Sequence, residues 1–163
     1  MKVTVSVYRE KRGLGHPETR RLIRRAVSAA LRAEKVDVPA RVDVMLTDDE
    51  GIHEVNLAQR GVDSPTDVLS FPFAELTPGA FDAALCERDP GTGEALLGSM
   101  VIDLPRCEAQ GEEYGHGYER EVSYLSVHSV LHLLGYDHLD EGPMKKQMRA
   151  REDAIMASLG ITR

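Results

Sequence analysis

His128 and His132 stand four residues apart in the run His128-Ser-Val-Leu-His132-Leu-Leu-Gly135-Tyr-Asp-His138. On a helix, four residues turn through about 400°, so the two imidazoles differ by about 40° in direction and about 6 Å in height and can reach one metal ion. A third ligand six residues further along the same straight helix would point to the far side. Gly135 resolves this, because a glycine can end the helix after Leu134 and let the chain reverse, returning His138 to the ion. Three neutral imidazoles leave a coordination position open for water or a substrate oxygen, the arrangement of catalytic rather than structural zinc. Metal-bound histidines also donate their other ring N–H to a carboxylate or carbonyl, and Asp137, Asp140 and Glu141 are the nearby candidates. One such histidine alone would read as a hydrogen-bonded core residue, but three at this spacing around a glycine read as a metal site. His16, His53 and His116 lie outside the pattern and suit surface or capping roles.

The same run excludes one common use of such a site. Zinc peptidases of the H-E-x-x-H type place a glutamate after the first histidine as general base, and this chain has Ser129 there. A serine cannot replace that carboxylate, so peptide hydrolysis by the usual route is disfavoured. A zinc-dependent hydrolase of another substrate, peptides included, keeps the same ligands as an alternative. So does a non-catalytic protein that keeps zinc for stability.

The elements that must position these residues follow from patterning. Val3, Val5 and Val7 alternate with Thr4, Ser6 and Tyr8, the period of a half-buried strand. His16-Pro17 opens a helix in which Leu22, Ile23, Ala26, Val27, Ala30 and Leu31 form the apolar face and Arg20, Arg21, Arg24, Arg25 and Arg32 take the other positions. A second strand is predicted at Arg41 to Leu46, parallel to the first if they share a sheet. Thr47 and Glu50 form a capping-box pattern for a helix through about Ala58. Strands follow at Val68 to Phe73, whose Pro72 places it at an edge or near its end, and at Leu97 to Leu104. The segment from Ala74 to Ala95 reads as a long loop. Helices are predicted from Pro105 through Tyr118, from Glu119 to Leu134 and from Pro143 to Leu159. Together these give a single α+β domain over residues 1–163: a mixed sheet of about four strands, with the histidine helix lining a zincin-like cleft.

Composition narrows the partners. The 163 residues, 42% hydrophobic and 29% charged, suit one soluble globule. The formal charge of −7 repels polyanions at long range, so a nucleic acid would need a local basic patch. The arginine face of the first helix, Arg20 and Arg24 included, offers such a patch, although by charge pattern alone a plain solvated face is the favoured reading. No run of exposed aromatics suited to base stacking is evident. The N-terminus lacks the apolar stretch of a signal peptide and no segment is long enough to span a membrane, so a cytoplasmic protein is expected. Cys86 and Cys107 show no paired spacing and read as reduced thiols.

The string from His128 to His138 resembles the H-G-x-L-H-L-x-G-Y-D-H signature of the YbeY family, bacterial endoribonucleases and rRNA maturation factors. Val55-Asn56, Arg60, Asp63 and the segment Pro65-Thr66-Asp67-Val68-Leu69-Ser70-Phe71-Pro72 are similar to the family's L-N-x-x-Y-R-x-x-D-x-P-T-D-V-L-S-F-P segment, and Leu97-Gly98 also matches. Ser129, Gln59 and Ser99 depart from it, where a glycine, an aromatic and an acidic residue are usual. Ser129 is expected to add bulk beside His128, and Gln59 and Ser99 to alter how Arg60 is held. The resemblance implies one Zn2+ held by His128, His132 and His138, with Arg60 across the cleft. It further implies single-strand endoribonuclease activity in small-subunit rRNA 3′-end maturation and ribosome quality control, with rRNA and the small subunit as partners. A guanidinium suits that position chemically, because its fork of donors matches phosphate oxygens. Taken alone, Arg60 could instead pair with Asp63 or Asp67.

Overall fold

The computed structural model describes residues 2–137 and 142–161. Four strands, β1 (Val3–Arg9), β2 (Ala40–Thr47), β3 (Val68–Pro72) and β4 (Ala95–Asp103), form one mixed sheet in the order β1-β2-β4-β3. β1, β2 and β4 are parallel, and β3 runs antiparallel along the edge beside β4. The helix between β1 and β2 is the crossover that a parallel pair requires. Pro72, which has no N–H to donate, ends the edge strand as its chemistry demands.

The two faces of the sheet are covered unequally. Val5, Val42, Val44, Leu46, Met100 and Ile102 point to one side and join the main core beneath α1 (Thr19–Ala33) and α4 (Tyr118–Leu133). α3 (Leu104–Glu113) and α5 (Pro143–Ser158) complete that layer by packing on α4. On the other side α2 (Asp49–Arg60) covers only one end, where Ile52 packs on Leu69 and Val101 with Met45, Val55 and Phe71 around them.

Helix ends differ in detail from the sequence-based expectation. α2 is capped by Asp48, whose carboxylate accepts from the Gly51 N–H, rather than by Thr47. Thr47 is still strand and fully buried beside Glu10, so its hydroxyl is committed elsewhere. The Gly51 N–H, then Lys11, hold the Asp48 carboxyl below its usual range. α1 begins at Thr19, two residues after Pro17. The predicted helix from Pro105 through Tyr118 stops at Glu113, because Gly115 and Gly117 both adopt left-handed conformations and start a new helix at Tyr118. Asp103 caps α3, and burial together with neighbouring Asp49 pushes its carboxyl up to about 7. The segment after β3 is more than a connector: Leu76 is buried, and a short 3-10 turn spans Ala83–Leu85.

Candidate metal and substrate site

α4 is buried on most sides, and His128 and His132 face the direction left open. Their rings approach edge to face with centroids 4.6 Å apart, and the two Nε2 atoms are separated by 3.1 Å. The opposite nitrogens are each aimed at an acceptor. His128 Nδ1 meets Oε2 of Glu152, a 5% exposed residue of α5 whose other oxygen accepts from the Tyr124 hydroxyl at 3.3 Å. His132 Nδ1 donates to the Tyr136 carbonyl at 2.9 Å. A carboxylate and a carbonyl can only accept, so both Nδ1 atoms donate, and the two Nε2 atoms face each other on the open side of α4. Two nitrogens bound to one tetrahedral zinc at about 2.0–2.1 Å would stand about 3.3 Å apart, so the donor set fits a metal ion.

Gly135 builds half of this arrangement. The Tyr136 N–H bonds the Leu131 carbonyl and the Gly135 N–H bonds the His132 carbonyl, the pairing of a Schellman helix end. Gly135 has φ 104°, and a Cβ there would collide with the Leu76 carbonyl, so no other residue fits. The reversal carries the Tyr136 carbonyl back onto His132. The Tyr136 hydroxyl donates to Glu34 at 2.5 Å, and Glu34 in turn accepts from Arg151 Nε at 2.7 Å, which ties the turn to α1 and α5. His138, expected as the third ligand, lies outside the described residues, as do Asp140 and Glu141. Among the described residues no group of three His, Cys, Asp or Glu gathers as a metal cluster. Asp137 lines the cavity, but the partners in place are Glu152 and the Tyr136 carbonyl. Glu152 lies 24 residues from His128, beyond the reach of any local spacing rule.

A cavity of about 880 Å³ opens beside the two rings, walled by β3, the segment from Phe73 to Leu76, and Arg60 at the end of α2. Arg60 is exposed, and its Nη1 donates to Oδ1 of buried Asn56 at 3.3 Å. Asn56 also donates to the Ser64 carbonyl, so one side chain orients Arg60 and fixes the turn after Gly61. The acidic neighbours considered for Arg60 are engaged elsewhere: Asp63 pairs with His53 at 2.6 Å, and Asp67 accepts from the Val68 N–H. Arg20 and Arg24 are exposed on α1 and do not line this cavity.

Two expectations about departures from the family pattern are corrected. Ser129 does not crowd the cleft, because it is fully buried against the sheet, its hydroxyl 2.6 Å from that of Ser70 on β3. Gln59 and Ser99 do not hold Arg60. They line a separate groove on the outer face of the sheet, since consecutive helical residues point about 100° apart.

The family model described as Endoribonuclease YbeY matches residues 4–160. Among curated relatives, Endoribonuclease YbeY of Roseiflexus castenholzii is 46% identical over 143 residues, covering 87% of this chain and 84% of that one. Those of Moorella thermoacetica (45%; 86% of each chain) and Acetivibrio thermocellus (40%; 87% of each chain) are similar. The solution structure of TM1509 from Thermotoga maritima shares the fold, with a TM-score of 0.57 and 22% identity over 96% of this chain and 92% of that one. With the match running from the first strand past the last helix and through both histidines and Arg60, the chain belongs to the YbeY endoribonuclease family.

Proposed function

We propose that this protein is a metal-dependent, single-strand-specific endoribonuclease. Its metal would be one zinc ion, and its role maturation of the 3′ end of small-subunit rRNA, with ribosome quality control, in the cytoplasm on the small subunit. The observation that carries the reading is the pair of converging Nε2 atoms, 3.1 Å apart, in one cavity with Arg60. His128 and His132 would hold the ion, with His138 as the third ligand carried over from the family motif. When bound, such an ion supplies Lewis-acid stabilisation of charge on a phosphoryl oxygen.

The chain's own residues supply the rest. Glu152 and the Tyr136 carbonyl fix the tautomer and direction of the two rings, so no rotation is needed when substrate arrives. Arg60, steadied by Asn56, presents a fork of N–H donors to the phosphodiester and stabilises the charge that gathers on its oxygens as the P–O bond to the leaving nucleotide breaks. Arg20 and Arg24 would add attraction for the RNA backbone away from the cavity.

Replacing Arg60 with Ala tests the assignment. RNA cleavage should fall by about 10²–10³ while metal content stays at the wild-type level. Unchanged cleavage by that variant would remove Arg60 from the chemistry. Mapping the cut ends adds the nucleophile, since a 2′,3′-cyclic phosphate comes from the neighbouring 2′-hydroxyl and not from direct attack by water.

A further inference from the structure

The outer face of the sheet carries a second concavity, a groove of about 620 Å³ that the catalytic reading leaves unused. Ser6, Asp43 and Ser99 lie in one row across β1, β2 and β4, with Phe71 of β3 completing the row, and Met45, Val55 and Val101 add apolar lining beside it. Aromatic side chains stand at both borders. Tyr8 on β1 is 62% exposed, Phe73 beyond the end of β3 is 52% exposed, and Phe71 is half-buried between them and α2. Tyr8 lies far along the chain from Phe71 and Phe73, which is why the sequence shows no aromatic run. Three strand spacings separate the Tyr8 and Phe71 strands, about 14 Å.

The groove borders the metal cavity. Phe73 lines both. At the same place the consecutive residues Gln59 and Arg60 of α2 face the groove and the cavity respectively. The two concavities therefore meet at Phe73 and at the end of α2, close enough for one extended strand to occupy both.

We infer that the outer face of the sheet is a stacking platform for single-stranded RNA, which holds the nucleotides that run out of the metal cavity on exposed Phe73, Phe71 and Tyr8. This rests on the endoribonuclease reading for the identity of the strand. A nucleobase has two apolar faces and a polar edge, and the groove offers the same division: rings at its borders, and hydroxyls with the Arg41–Asp43 pair along its floor. The core of a protein–protein interface is depleted of charged groups, whereas this groove carries the Arg41–Asp43 ion pair in its lining. A four-stranded sheet of this width can stack about two or three bases. Stacking tolerates any base, so the platform gives preference for unpaired RNA without sequence preference. A duplex cannot splay its bases onto it.

The test is binding of a fluorescent oligouridylate of about a dozen nucleotides to the metal-loaded protein, measured apart from cleavage. Tyr8→Ala and Phe73→Ala should each weaken binding about tenfold. Tyr114→Ala, an aromatic 56% exposed outside both concavities, serves as the control and should leave affinity as it was. Melting curves for the three variants separate lost stacking from lost fold, and two independent platform positions guard against one variant failing to fold. Equal affinity of wild type and both platform variants overturns the inference whatever the cleavage assay shows. A groove that binds protein and no RNA overturns it as well. Tyr8-dependent binding by a protein that cuts no RNA would leave the platform standing and sink the nuclease reading instead.

Discussion

The histidines of α4 and the arginines of α1 are both candidate contact groups on helices that pack against each other, yet the structure holds them in opposite ways. Each histidine is specified from a second element: Glu152 of α5 accepts a hydrogen bond from His128 Nδ1, and the turn at Gly135 delivers a carbonyl to His132. On α1, Arg20, Arg21, Arg24 and Arg32 extend into solvent, and Arg25 is committed to capping the end of α5 through the Leu159 carbonyl at 2.8 Å. Orientation is fixed where a short-range bond must form and left loose where long-range attraction suffices. A metal ligand loses its function when its ring rotates, whereas an arginine reaching a phosphate keeps most of its Coulomb attraction in several rotamers.

The largest effect should come from deleting a ligand. His132→Ala is expected to lose metal at concentrations that saturate the wild type, as read by metal analysis of the purified protein, and RNA cleavage should fall with it. Full zinc occupancy in that variant would refute the ligand assignment. A smaller and more diagnostic effect belongs to Glu152. Glu152→Ala should weaken metal affinity by about 10–100-fold, whereas Glu152→Gln, whose amide oxygen can still accept from His128 Nδ1, should recover most of it. Chelator competition measures both without reference to catalysis. Equal loss in the two variants would mean that the carboxylate matters for packing of α5 rather than for aiming His128.

The contrast also explains what the sequence disclosed. Periodicity of Val3, Val5 and Val7, the arginine-lined helix and Pro72 at an edge are local signals, and the sheet with its four strands follows from them. The spacing of His128 and His132 is equally local, and so is the glycine that ends their helix. Glu152, Asn56 as the support of Arg60, and the Ser70–Ser129 contact are not local, since each depends on how separate elements pack. Gly135 illustrates the boundary well. Its spacing announced a chain reversal, but only the folded turn shows that the reversal also brings the Tyr136 carbonyl onto His132. The cap of α2 moved one residue, from Thr47 to Asp48, because strand pairing buried Thr47. The aromatic border of the outer groove was invisible for the same reason: Tyr8 and Phe73 come to line one groove only when the sheet assembles.

The smallest effect sharpens the comparison from the side of α1. If Arg20 and Arg24 neutralise RNA phosphates, replacing both with Ala lowers affinity for every single-stranded sequence alike and reduces the salt slope of log K by about 1.4, or about 0.7 per lost contact. The change in slope, measured by repeating the oligouridylate titration across salt concentrations, is the decisive quantity, because a few-fold loss of affinity at one salt concentration has many causes. Metal content and the Glu152 response should be untouched, since neither arginine lines the cavity. An unchanged slope would make α1 a solvated face that keeps the chain soluble. The RNA would then be held by Arg60, the metal cavity and the outer face of the sheet, with no contribution from the helix whose charge pattern first suggested a polyanion.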